Sequence, residues 1–377
     1  MEVQPTTSPV PSPAPPATRS KVAVLYTSPD SVVEDIGRVM EMAGYREAIP
    51  VGPNVNMKIN ISWHHYFPAC STTPWQLDGV ISRLLADGYP RESLVGCQNG
   101  TVVVDPYDGA RRNRLDPVIS KHGLHYSYLN EPHVEWIKIE PKARMHVLDE
   151  VYPDGVYVPK KFFGESIIHL PTVKTHVFTT MTGAMKNAFG GLLNNRRHWT
   201  HAVIHETLVD LLAIQQEIHS GVFAVMDGTI AGDGPGPRCM RPHIKNVLIA
   251  SKDQVAIDAV SASLMGFEPM NLKFIRMAHE DGLGCGDLAE IDIVGEDIRG
   301  VNWHFEGQKD TFASRGQKMI YHGALKPLEH LLLRTALVPW SYMASRFYHD
   351  VLWYPLIGKR RVNEIMKTEW GRLFQSY

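Results

Sequence analysis

Short apolar, β-rich runs alternate with amphipathic helical runs along most of this chain, and that alternation restricts the fold more than any other feature. KVAVLYTS (21–28) is followed by DSVVEDIGRVMEMAGY, where Val32, Val33, Ile36, Val39, Met40 and Ala43 recur on one helical face and Ser31 and Glu34 have capping-box spacing. VNMKINISW (55–63) gives a second strand, after which Thr73 and Pro74 stand as N-cap and first residue of a helix through LDGVISRLLADG that stops at Gly88. SLVGCQNG is a third strand. The pattern returns in ESIIHLP (165–171), HETLVDLLAIQQEI, VFAVMDG, KNVLIAS, DQVAIDAVSASLMG and LAEIDIVG. Strands alternating with helices across short turns predict an α/β fold, a doubly wound, largely parallel sheet with a ligand cleft at its strand ends.

The length of 377 residues allows one or two lobes over 21–305. Residues 1–20 carry six prolines, no basic start and no apolar stretch, which fits neither a secretory signal nor a transit peptide and predicts a disordered tail. From about 306 to 377 the chain becomes rich in Trp, Tyr and Phe mixed with arginines, and a helical C-terminal extension is expected there. No apolar run reaches the roughly 18 residues that a membrane span needs. The extension is expected to dock on the core; the sharper reading of residues 324–377 is a contact with lipid or with a second subunit of a homo-oligomer.

A formal net charge of -2 gives no global attraction to nucleic acid, so any charge argument is local. Cys70, Cys97, Cys239 and Cys285 form no C-x-x-C pair, so there is no iron-sulfur cluster motif, and a reducing cytoplasm is the expected compartment. KTHVFTTMTGAMKNAFGGLLNNRRHWTH (174–201) is the local exception. It holds Lys174, His176, Lys186, Arg196, Arg197, His198 and His201 without one carboxylate, a composition that calls for a small anionic partner.

In an open parallel sheet the ligand sits beyond the carboxyl ends of the strands. That rule selects His64, His65, Ser71, Thr72 and Thr73, then Asn99, Gly100 and Thr101, then Lys174 and His176, and finally Asp227 with the loop IAGDGPGP that contains Gly234. Thr72 and Thr73 stand where a helix begins, so they either cap it or present backbone N–H groups to a phosphate or carboxylate. Lys186 follows the small residues Gly183 and Ala184, and can be a solvated charge, a phosphate partner or a covalent anchor. His198, His201 and His205, three and four residues apart, share a face if helical, and His201 with His198 is the candidate pair for a divalent metal. Asp253 is expected to cap a helix, Asp258 is a carboxylate in an apolar helical run, and Asp227 at the end of an apolar strand is the acid/base candidate. GDGPGP fails the G-x-G-x-x-G pattern because residue 237 is proline, and no G-x-x-x-x-G-K-[ST] occurs, so dinucleotide and P-loop readings are weak.

Taken in order, HLPTVKTHVFTTMTGAMKNAFGGL, VMDGTIAGDGPGP and IASKDQVAIDAVSASLMG resemble the signature segments of the family known as domain of unknown function 362. KINISW with STTPWQLDGVISRLL is similar to its N-terminal segment, with Ile59 where proline is usual. A more distant resemblance links His176, Thr182-Gly183, Lys186 and His201 to the cofactor segment of the lactate racemase family. It implies Lys186 as the tether of a nickel-pincer nucleotide, His201 as a nickel ligand, His176 as an acid/base group and residues 71–73 as the nucleotide phosphate contact. Val102 stands where that family has its second catalytic histidine, and Ala184 replaces a glycine. A two-base racemisation therefore lacks a partner.

The expected function is an enzyme, isomerase- or oxidoreductase-like, that holds an anionic ligand or nucleotide-like cofactor with Ser71, Thr72, Thr73, Lys174, Gly183, Lys186 and Gly234. His176, Lys186 or Asp227 would carry the chemistry. The alternative is a non-catalytic metal- or cofactor-binding assembly protein with a partner-docking C-terminus.

Overall fold

A computed structural model describes residues 19–100, 104–307, 312–321, 323, 326–328, 343 and 345–377. The expected Pro-rich tail up to residue 18, Thr101 and Val102 lie outside the described residues.

One ten-stranded sheet organises the chain. Its strands are β1 (Ser20–Tyr26), β2 (Val55–Ile59), β3 (Leu94–Gln98), β4 (His125–Tyr128), β7 (Ser166–Leu170), β8 (Thr172–His176), β9 (Thr180–Met181), β10 (Gly221–Asp233), β11 (Arg241–Ser251) and β12 (Ile291–Gly295), while β5 (Trp136–Ile139) and β6 (Val156–Pro159) pair separately. The order is β12-β1-β11-β10-β7-β2-β3-β4, with β8 attached to β10 and β9. Pairing is parallel from β10 through β7, β2 and β3 to β4, and again between β1 and β12. β11 is antiparallel to both neighbours because only a short loop joins it to β10, and a connection that short can make only a hairpin.

Helices cover both faces, and the strand period of two sorts the side chains between them. Val22 and Val24 join the core under the helices Gly183–Leu192, Ile204–Ile218 and Gln254–Met265. Ala23 and Leu25 join the core under Val32–Met42 and Pro74–Ala86. Burial on both faces explains why the strands read as continuous apolar runs.

From β2 the chain steps outward to β3 and β4, then returns to place β7 on the other side of β2. The carboxyl ends of β2 and β7 therefore flank the switch point, where a doubly wound sheet opens its ligand crevice.

Some local expectations change. The Ser31–Glu34 capping box does not form: Ser31 Oγ donates to Asp35 at 2.6 Å, and the helix starts without a side-chain cap. The expected loop IAGD is the second half of β10, held by pairing with β11 and, at Gly232, with Lys174 of β8. The C-terminal extension docks on the core in its last part, where Trp353, Ile365, Trp370 and Phe374 are buried with Trp63, Phe67 and Trp75. Trp370 Nε1 donates to Asn246 at 2.7 Å, and the Phe374 ring stacks on Tyr66. Each such buried ring contributes about 1.5–3 kcal/mol of apolar burial.

Candidate functional site

At the switch point the loop 60–73 is stitched to both strand ends. Thr72 Oγ1 donates to Leu170 O at 2.7 Å and accepts from Asn60 N at 2.8 Å, while Thr72 N donates to Asn60 O. Lys174, fully buried in β8, gives its ammonium to Cys70 O at 2.6 Å, and to Asn60 Oδ1 and Thr172 Oγ1 at 3.1 Å each. Thr72 and Lys174 thus fix the floor of the crevice, and their polar atoms are already engaged with protein.

Three further cations near the strand ends, Lys58, Lys186 and Arg197, are buried or half-buried as Lys174 is. Lys58 donates to Ile59 O and, at 3.0 Å, to Gln98 Oε1; Gly190 and Gly191 leave room for its side chain. Arg197, 6% exposed, donates to Gly100 O at 2.7 Å. Lys186 lies with its Nζ 5.2 Å from the Phe189 ring centroid, and among the described residues no acceptor or carboxylate reaches it. Burial, with the charges of Lys174 and Arg197, pulls the Lys186 amine down to about 7. Burial takes Lys58 and Lys174 down to about 8 and Arg197 to about 10. No carboxylate pairs with any of the four among the described residues. Uncompensated charge at this depth is unfavourable, and interiors normally match it with an acid.

Two histidines border Lys186, and their hydrogen bonds assign opposite tautomers. His176 Nδ1 accepts from Phe178 N at 3.2 Å and from Thr179 N at 3.4 Å. The Thr179 hydroxyl is turned to Met181 O, so Nδ1 carries no proton and Nε2 carries it. His201 Nδ1 donates to His198 O at 3.1 Å, which leaves the lone pair on Nε2. Burial and the Lys186 charge hold His176 well below its ordinary range, and the same causes take His201 to about 3. Both imidazoles are neutral at pH 7, one presenting an N–H and the other a base. Phe178, Phe189 and Tyr321 wall His201, the last from the helix Phe312–Tyr321.

Other candidates are built into the scaffold. Asp227, 1% exposed, accepts from Thr73 Oγ1 at 2.5 Å and Trp75 Nε1 at 2.9 Å on Oδ2 and from Thr229 N at 2.7 Å on Oδ1, so it pins the 73–75 turn. Thr73 caps its helix in a capping box with Gln76, as its position in sequence suggests, and Ser71 is buried beside it. Gly183, with φ +70, is required by Asp258: a Cβ there would lie 2.3 Å from the Asp258 carboxylate, which accepts from Ala184 N and Met185 N and so caps the Gly183–Leu192 helix. Burial pushes Asp258 up to about 8. Gly234, with φ +104, makes the turn out of β10, and its carbonyl accepts from Thr175 Oγ1 at 2.8 Å. The residues fit covalent attachment of a cofactor at Lys186; at 71–73 Thr72 and Thr73 already spend their side chains on Asn60, Leu170, Gln76 and Asp227, and only the buried Ser71 hydroxyl lacks a partner among the described residues.

His198 and His201 lie on a 3-10 helix (Asn195–Val203) rather than on the α-helix that carries His205, so the three do not share one face. Among the described residues no third ligand completes a metal group with them. Lys58 escapes a sequence reading because a charge inside an apolar strand gives no motif; Asp258 was in view as a carboxylate in an apolar helix and Arg197 in NNRRH, the one without its capping role and the other without its burial.

Over 126 residues, 33% of its length, the chain is 28% identical to a thylakoid-associated protein of Synechocystis sp.. The match spans 39% of that relative, well under two thirds of it. The family described as Domain of unknown function (DUF362) matches residues 55–263, more than half of the chain and all of the cationic crevice, and the chain belongs to that family.

Proposed function

We propose that this protein is an enzyme that seats a small anionic ligand or nucleotide-like cofactor at Lys186, with the neutral His176 N–H and the His201 lone pair as its proton-transfer pair. The observation that carries this reading is the set of four cations, Lys58, Lys174, Lys186 and Arg197, without a paired carboxylate among the described residues. Three of them are satisfied by neutral protein acceptors, which leaves Lys186 to meet the ligand. An anion there raises the proton affinity of Lys186, His176 and His201 together, because its attraction offsets the burial and the like charge that now depress them. Binding then turns a weak base into a useful one, in keeping with isomerase- or oxidoreductase-type proton transfer. Intact-mass measurement and analysis of small molecules released on denaturation test the reading. An adduct on Lys186 or a released anion, lost in Lys186→Met, supports it; protein that is free of both and does not bind pyrophosphate refutes it.

A second reading concerns where the protein works. Met343, Phe347, Val351 and Leu356, four or five residues apart, are exposed, Leu356 by 74%, and Arg346, Lys359 and Arg360 flank them. Exposed apolar side chains beside cations suit the surface of an anionic bilayer, and the relative's name places that protein with thylakoids. No helix among the described residues is long and apolar enough to cross a membrane.

A further inference from the structure

We propose that His64, His65 and Asp350 form a site for a divalent first-row transition-metal ion that clips the C-terminal segment Phe347–Gly358 to the sheet. The site is distinct from the Lys186 crevice and does not depend on the reading of it. Each residue offers one ligand atom, and the three atoms lie within 4.8 Å of one another. His64 Nε2 and Asp350 Oδ2 are 3.4 Å apart, close to the edge of a tetrahedron with bonds of about 2.0–2.1 Å, roughly 3.3 Å. At the same distance, an imidazole and a carboxylate make only a poor hydrogen bond with each other.

The surroundings already hold Asp350 and His65 in place. Buried Trp63 donates from Nε1 to Asp350 Oδ1 at 2.7 Å, which aims Oδ2 at His64. His65 stacks on Tyr354 with ring centroids 4.3 Å apart and planes 12° apart, and the Tyr354 hydroxyl donates to Tyr66 O at 3.0 Å. His64 is 7% exposed, so its Nε2 faces Asp350 away from bulk water, while its Nδ1, on the far side of the ring, lacks a hydrogen-bond partner among the described residues. Two imidazoles and one carboxylate suit zinc, iron, cobalt or nickel rather than magnesium or calcium, and leave further positions for water.

Three arginines lie nearby. Arg346 Nε is 3.9 Å from Asp350 Oδ2, too far to saturate it, and Arg238 gives its Nε to Ser62 O. Arg112 meets His65 Nδ1 at 3.3 Å, but it is anchored on Asp108 at 2.6 Å and exposed enough to swing clear. Sequence alone gives no hint of the set, because His64 and His65 follow β2 while Asp350 lies near the other end of the chain.

Tag-free full-length protein, stripped with chelator, is titrated with Co2+ and followed by visible d–d absorption and by melting temperature. One Co2+ per chain with a rise in melting temperature is expected. Asp350→Asn and His65→Gln, both near-isosteric, each lower the affinity at least tenfold and abolish the thermal response, whereas His201→Ala leaves both unchanged. Absence of saturable Co2+ absorption at millimolar metal in the unmodified chain overturns the proposal whatever the variants do. Equal binding by folded Asp350→Asn and His65→Gln overturns it as well.

Discussion

Lys186→Met tests the cost of holding an amine in this crevice. The lysine titrates near 7 in the fold and at 10.5 in its unperturbed state. The unfolded chain therefore binds more protons than the folded one between those values, and stability rises with pH across that window. In an otherwise unchanged fold the ionisation opposes folding by about 4 kcal/mol at pH 7 and by about 2 kcal/mol at pH 9. The side chain is half-buried, so water screens part of this, and a net gain of about 1–3 kcal/mol at pH 7 is the expected effect of methionine, an unbranched apolar side chain of similar length. The assay is urea unfolding at pH 7 and pH 9 with unmodified protein alongside. The variant should be more stable at pH 7, and its advantage should shrink by pH 9, where the lysine is neutral in the fold. A variant destabilised at both pH values would show that Lys186 makes a favourable contact and is not an uncompensated cation. Gain of stability with loss of ligand is what a residue kept for binding gives.

Further outcomes follow from the same geometry. Gly183→Ala drives a Cβ into the Asp258 carboxylate at a positive φ and should cost at least 2–3 kcal/mol by chemical denaturation. Asp227→Ala orphans Thr73, Trp75 and the Thr229 amide, and should lower stability by about 3–5 kcal/mol; Asp227→Asn with unchanged stability and abolished turnover would restore it as an acid/base group. Deleting residues 345–377 exposes Trp63, Phe67 and Trp75 and should give aggregating protein by light scattering. Sedimentation with phosphatidylglycerol vesicles should fall when salt is raised or when Leu356→Asp is introduced, and vesicle binding that ignores both would set aside the membrane reading.

Much of the architecture was legible because apolar periodicity reports which faces are buried. The strands that became β1, β2, β3, β7 and β11 and the helices Val32–Met42, Pro74–Ala86, Ile204–Ile218 and Gln254–Met265 stand out, since each buries a run long enough to show its period, and β12 stands out although only Ile291 of it is buried; the helices Pro106–Arg112 and Leu115–His122 after β3 did not. β4, β5, β6 and β9 did not, being two to four residues long and only partly buried. The site was legible as a place rather than as a set of roles. The strand-end rule brought Thr72, Lys174, His176 and Asp227 to one crevice, but residue type cannot say whether a polar atom is free. Thr72, Lys174 and Asp227 are held by the scaffold, and Lys186 has no acceptor among the described residues, distinctions that lie in tertiary hydrogen bonds joining residues about a hundred or more positions apart.

Calorimetric titration of the full chain with pyrophosphate at pH 7 and pH 9, beside Lys186→Met, bears most directly on the claim that the uncompensated cations hold an anion. Saturable one-to-one binding at pH 7, at least tenfold weaker at pH 9 as Lys186 loses its proton, and absent in the folded variant, is the result the geometry predicts. No binding at either pH, or binding that Lys186→Met leaves intact, would contradict it.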